Sequence, residues 1–131
     1  MTRYWIYDKD TSKTGFPVGT LLELLDNVFG SRVLRIMVHR AEGYGEKISS
    51  WDGLLFDSND KVEVTINEII NAVNNDDEVF YWLDIEFNLD DASRITFGIH
   101  DSSSMYVESV DDISELLGRK FASVIIGKIN E

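Results

Sequence analysis

Residues Val79 to His100 read Val-Phe-Tyr-Trp-Leu-Asp-Ile-Glu-Phe-Asn-Leu-Asp-Asp-Ala-Ser-Arg-Ile-Thr-Phe-Gly-Ile-His. Side chains alternate between the two faces of a strand. In the first run Val79, Tyr81, Leu83, Ile85 and Phe87 share one face, all apolar or aromatic. Phe80, Trp82, Asp84, Glu86 and Asn88 share the other, which begins aromatic and ends acidic. Ile95, Phe97 and Ile99 then oppose Arg94, Thr96, Gly98 and His100. This pattern predicts an antiparallel strand pair with one face on the core and one in solvent. Asn88 to Ser93 is rich in turn formers and short enough for a hairpin. Asp101-Ser102-Ser103-Ser104 is a second turn, and a third strand over Met105 to Ser109 completes a meander.

Outward from this centre the remaining elements follow. Arg3 to Tyr7 is a short aromatic strand. Thr20 is placed to cap a helix with Leu21, Leu24, Leu25, Val28 and Phe29 inward and Gly30 at its end. Arg32 to His39 alternates as a strand. Ala41 to Lys61 is the least regular part, a long loop with a small strand at Leu54-Leu55-Phe56. Val62 to Val64 is extended. Thr65-Ile66-Asn67-Glu68 is a capping box, opening a helix with Ile66, Ile69, Ile70 and Val73 buried. Ser109 is placed to cap a short helix that Gly118 closes, and Phe121 to Ile129 is a last strand. The expected fold is α+β, one domain over residues 1–131: a mostly antiparallel twisted sheet of about five to six strands, with two to three helices on one face.

The 131 residues contain no cysteine, which removes disulfides, thiolate metal sites and a cysteine nucleophile, and fits a cytoplasmic protein. Met1 to Tyr7 carries no secretory signal pattern, and no apolar run reaches the ~20 residues a spanning helix needs. The formal net charge of −12 is uneven along the chain. Residues 62–118 hold fourteen acids against Arg94 alone, while residues 1–61 hold nine acids against eight bases. Such a field repels phosphate backbones and anionic lipid, so neither nucleic acid nor a membrane surface is an expected partner. It attracts basic proteins and speeds their encounter.

Catalytic signatures are absent. His39 and His100 lie outside any HExxH spacing, and no GxSxG elbow accompanies Ser102 to Ser104 with His100 and Asp101. Asp84 and Glu86 share a strand face about 7 Å apart, a spacing compatible with acid/base work but common to any strand with alternating acids. Asp8 to Ser12 and Asp57 to Asp60 lack the glycine and closing glutamate of a calcium loop. No metal or cofactor is expected. Trp82 beside Asp84 and Glu86, with Tyr106 and Glu108 projecting likewise from the third strand, has the make-up of a protein-binding hot spot. Asp76, Asp77, Asp90 and Asp91 flank it.

The segment Arg94-Ile-Thr-Phe-Gly-Ile-His-Asp-Ser-Ser-Ser-Met-Tyr-Val107, in a small acidic α+β chain without cysteine, resembles strand pairs in immunity proteins of bacterial polymorphic-toxin and contact-dependent inhibition systems. The likeness covers mainly the sheet half. It implies a cytoplasmic, non-catalytic inhibitor that neutralises a cognate toxin, often a basic nuclease, through an acidic surface. Two other classes stand beside it. One is a nucleic-acid mimic that blocks a defence or DNA-binding protein. The other is a small enzyme using Asp84, Glu86 or His100.

Overall fold

The computed structural model describes residues 1–9, 16–58, 62–75 and 77–128. In chain order the elements are β1 (Thr2–Ile6), α1 (Val18–Phe29), β2 (Val33–Tyr44), α2 (Glu46–Ser58), β3 (Val62–Val64), α3 (Ile66–Asn74), β4 (Val79–Leu89), β5 (Arg94–His100), β6 (Ser104–Ser109), α4 (Ser114–Gly118) and β7 (Val124–Lys128). The strands form one antiparallel sheet of seven, ordered β3-β2-β4-β5-β6-β1-β7. The fold is α+β as expected, with one more strand and one more helix than the ranges read from the sequence. The β4-β5-β6 meander stands at the centre.

Helix residues Leu21, Leu25, Ile48, Trp51, Ile69 and Leu117 join one apolar core with Ile36, Val38, Leu83, Ile85, Phe97 and Val107 of the strands. These strand residues occupy one sheet face, so the helices cover that face and leave the other open. Phe87 and Phe97 meet edge-on at 5.2 Å in its centre, a contact worth about 1 kcal/mol beyond simple burial.

The predicted face assignment of β4 holds from Leu83 to Phe87 and fails at its start. Phe80 is 2% exposed and Tyr81 39%. The cause is a bulge: Glu42 pairs with Trp82 but Gly43 pairs with Phe80, so Tyr81 is an extra residue and the alternation slips by one. Tyr81 turns outward and packs edge-on against Tyr44 at 5.4 Å.

The region Ala41 to Lys61 is corrected most. Over residues 41–58 it is no loop: β2 runs on to Tyr44, and Glu46–Ser58 is helical, including the expected small strand at Leu54 to Phe56, while Asn59 to Lys61 lie outside the described residues. Ile48, Trp51 and Leu55 form its inward stripe. Its first amides are capped from far along the chain. Glu78, distant in sequence and 2% exposed, accepts hydrogen bonds from the amides of Lys47 and Ile48 (3.1 Å). Gly45 permits this, because its φ of +144° is open to glycine and a Cβ there would overlap the Glu78 carboxylate.

Smaller corrections share one theme. Thr20 does not cap α1; Pro17 precedes its first residue, and no side chain caps it. Val28 is exposed rather than inward. Ser109 ends β6, and its hydroxyl accepts from the Asp111 amide, while Asp112 accepts from Ser114 at the start of α4. By contrast, the capping box is present: the Thr65 hydroxyl accepts from the Glu68 amide, and the Glu68 carboxylate accepts from the Thr65 amide.

Candidate binding face

The open face is built by register. One row across it runs Arg40, Asp84, Gly98, Tyr106, Trp5 and Ile125, from β2 through β4, β5, β6 and β1 to β7. The next runs Met37, Glu86, Thr96, Glu108, Arg3 and Gly127. Sequence reasoning singled out Trp82, Asp84, Glu86, Tyr106 and Glu108, and the sheet brings all five to this face.

Gly98 organises the first row. A Cβ there would overlap the Leu83 carbonyl of β4, so the two strands approach closely at this point. The space above the glycine is filled by cross-strand Tyr106, as aromatic neighbours of strand glycines commonly do. Tyr106 is only 7% exposed although no helix covers it. Its hydroxyl donates to the Asp84 carboxylate. Burial raises the Tyr106 hydroxyl far above its ordinary range, and the charge of Asp84 adds to this. Burial likewise raises the Asp84 carboxyl, against the lowering effects of the Tyr106 bond and of nearby His39. The other Asp84 oxygen, Oδ1, is buried without a hydrogen-bond partner.

Aromatic and guanidinium groups surround this pair. His100 stands edge-on to Trp82 at 4.5 Å and to Trp5 at 5.7 Å. Arg40 lies over the Trp82 ring at 3.7 Å. Arg3 lies over Trp5 at 4.9 Å and Tyr106 at 5.1 Å, and its Nε donates to Glu108 at 2.6 Å. Trp82 is therefore half-buried under its neighbours rather than freely exposed.

The carboxylates are mostly paired. Glu86, 5% exposed, faces His39 at 3.3 Å and Arg94 at 3.6 Å. Glu63 faces Arg35 at 3.4 Å, Arg40 pairs with Glu42, and Arg3 with Glu108. Five carboxylates thus share the face with four arginines, and Asp84 is the one without an arginine partner among them. The expected acid-rich patch is corrected here: the sheet order sets β2 and β1, which carry bases, against β4 and β6, which carry acids.

Of the predicted flanking acids, the three described, Asp77, Asp90 and Asp91, do not extend the face. Asp90 and Asp91 sit in the β4–β5 turn and pair with Arg32 at 3.2 and 2.7 Å. Asp77 lines a cleft of about 660 Å³ with Glu46, Lys47, Ser50, Asn75 and Glu78, at the start of α2. Asp76 lies outside the described residues, as does most of the Asp8 to Ser12 segment and the end of Asp57 to Asp60. Both Asp8 carboxylate oxygens accept backbone amides, from Ala122 at 2.8 Å and Ser123 at 2.7 Å. His100, Asp101 and Ser102 to Ser104 form a tight turn, with φ of 46° at Asp101 and 57° at Ser102. Among the described residues no cluster of three or more potential ligands is placed to hold a metal.

Sequence reasoning missed Arg3, Trp5, Arg40 and Gly98. The alternation Arg3-Tyr4-Trp5-Ile6 carries a signal for the face of Trp5, but nothing local says that β1 inserts between β6 and β7. No helix is long and apolar enough to cross a membrane among the described residues. No protein-family model matches the chain, and neither the curated proteins nor the solved structures yield a match.

Proposed function

We propose that the chain is a non-catalytic binding protein whose open sheet face docks a cationic protein domain, in the manner of an immunity protein neutralising a toxin. The observation that carries this reading is the set Trp82, Trp5, Tyr106, Arg40 and Arg3, gathered on the sheet face that the described helices leave open. Tryptophan, tyrosine and arginine dominate the energetics of protein interfaces. Here they stand on strands and are held by ring stacking and ion pairs, so little side-chain freedom remains to be lost on docking. The net charge of −12 supplies long-range attraction to a basic partner, while the near-neutral contact face leaves affinity to burial and shape. The alternation of arginines with carboxylates on this face runs against a nucleic-acid mimic, which needs an unbroken anionic array.

The test is co-expression with the product of the adjacent gene, scored as growth rescue and as calorimetric affinity. Trp82→Ala should weaken binding about 30- to 1,000-fold, the loss of about 2–4 kcal/mol typical of a central anchor. Affinity unchanged in a Trp5→Ala, Trp82→Ala double variant with native circular dichroism would sink the reading.

One observation favours a second reading. Asp84, whose carboxyl burial raises, stands on the same strand face as Glu86, and a buried carboxyl beside a second one is a layout that suits acid/base hydrolysis. Hydrolysis of any glycoside or ester that Asp84→Asn abolishes would favour it; rescue by Asp84→Asn at wild-type strength would end it.

A further inference from the structure

The sheet face that the helices cover is not sealed at one end. A cavity of about 310 Å³ opens between the end of α1, the first turns of chain in β2, the β3 strand and the start of α3. Its walls are the apolar side chains of Val33, Ile36, Val64 and Ile66, with fully buried Phe87 behind them. All five belong to the core or pack against it, so the cavity is an unfilled extension of the core. Leu34, 70% exposed, carries the apolar surface out to the lip. All of the lining residues are among those described.

Charge at the mouth is one-sided. Asp26, Arg35 and Glu63 stand there. Arg35 is taken by Glu63 at 3.4 Å, and Arg32, the next nearest base in sequence, by Asp90 and Asp91. Asp26 is left without an arginine among the described residues. Gly30 fixes its place: a Cβ there would overlap the Asp26 Oδ1, so the carboxylate lies against bare backbone where α1 ends. The negative end of the α1 dipole adds to that carboxylate. The positive end of α3, which reaches the cavity through Thr65 and Ile66, is already answered by the capping box.

An apolar cavity with an uncompensated carboxylate at its entrance suits an apolar body with a cationic head. At ~30 Å³ for each water-sized group, the volume takes about ten heavy atoms. We propose that this cavity binds a small free organic amine, a primary ammonium on an apolar body of about six to eight carbons. The carbons lie against Ile36 and Val64, and the ammonium donates to Asp26. The helix-covered side of the sheet is opposite the proposed docking face, so neither reading depends on the other. The same separation favours a free molecule over a lysine side chain of a docked protein.

Amide chemical shifts of the full chain, followed by heteronuclear NMR with n-hexylammonium, 1-hexanol and hexanoate at matched ionic strength, test this. Hexylammonium should shift the amides of residues 30–36 and 63–66 and saturate with a Kd of about 1 mM, the scale set by its few heavy atoms. 1-Hexanol should bind about threefold more weakly and hexanoate about tenfold, since one partly exposed charge is at stake. Asp26→Asn should erase that order. Gly30→Ala, which pushes the carboxylate aside without removing it, should narrow it. Val64→Phe, which fills the cavity, should abolish the shifts; should it misfold, Ile66→Trp at the α3 side replaces it. Shifts that never saturate or that centre elsewhere, hexanoate as tight as hexylammonium, a folded Asp26→Asn variant that keeps the preference, or a folded filled variant that still binds would each overturn the proposal. So would Nα-acetyllysine amide binding more tightly than hexylammonium, which would assign the cavity to a protein side chain.

Discussion

Replacing Glu78 by alanine should unfasten α2. Two backbone amides, those of Lys47 and Ile48, lose their acceptor. Hydrogen bonds to a charged group contribute about 1.5–3 kcal/mol each. The Lys47 amide is part-buried, so water replaces much of its bond; the Ile48 amide is buried and stays unsatisfied. The lost methylene adds about 0.8 kcal/mol. Against this, Oε2 of Glu78 is buried without a partner, and removing it recovers about 1–2 kcal/mol. The net expectation is a loss of about 2–3 kcal/mol, or about 7–11 °C for a chain of 131 residues. Glu78→Gln keeps an acceptor but not the charge at the helix N-terminus, and should lose about 1 kcal/mol. Urea unfolding followed by tryptophan fluorescence reads this well, since Trp51 of α2 is buried in the core. Gly45→Ala adds a check, because its Cβ would displace the same carboxylate. The Gly45→Ala, Glu78→Ala double variant should be less damaged than the sum of its parts by about 1 kcal/mol or more. Additive losses, or an alanine variant within about 0.5 kcal/mol of wild type, would refute the capping role.

Other perturbations give different signatures. The Asp84 carboxyl is raised above its ordinary 3.8 by burial, so the folded state resists its ionisation. Stability is therefore lost as pH rises from the ordinary value through the folded one. Asp84→Asn, which keeps an acceptor for Tyr106, should gain on wild type over that interval and match it at lower pH; a urea series from about pH 3 to about pH 7 checks the sign. Gly98→Ala sets a Cβ against the Leu83 carbonyl in the middle of the sheet, where backbone cannot yield, and should lose about 2–4 kcal/mol in the same assay. Thr65→Ala removes the hydroxyl half of the capping box and should lower the melting temperature by about 3–4 °C, the equivalent of about 1 kcal/mol.

Elements whose determinants are local are legible in the chain. The α3 cap needs only Thr65 and Glu68, three residues apart, and the β4-β5-β6 meander needs only alternation and two turns. α2 is illegible because its cap is Glu78, supplied across the fold, and because Leu54 and Phe56, both exposed, mask the stripe of Ile48, Trp51 and Leu55. The slip at Tyr81 is illegible for a related reason: a bulge is set by the partner strand, here at Glu42 and Gly43, and not by the strand that bears it. The binding face divides the same way. Trp82, Asp84 and Glu86 share a face because they share a strand. Trp5 and Arg3 reach it only through the insertion of β1 beside β6.

The same insertion explains why charge along the chain does not translate into charge on the surface. Arg3 comes from a segment near neutrality and Glu108 from one of strong acidity, yet the sheet makes them cross-strand partners. Arg35 and Glu63, which face each other at 3.4 Å, are likewise drawn from segments of different balance. Each such pairing removes an acid from the field of the open face and leaves the excess on the helix side and the turns. A cationic domain approaching this molecule is drawn by that excess at long range and meets a nearly neutral aromatic surface on contact. Salt then slows its arrival more than it hastens its departure. One salt titration, read for the rates of arrival and departure of a basic partner, separates attraction by the overall field from contact at the face: if departure quickens with salt as steeply as arrival slows, the charge is not distributed as the sheet order requires.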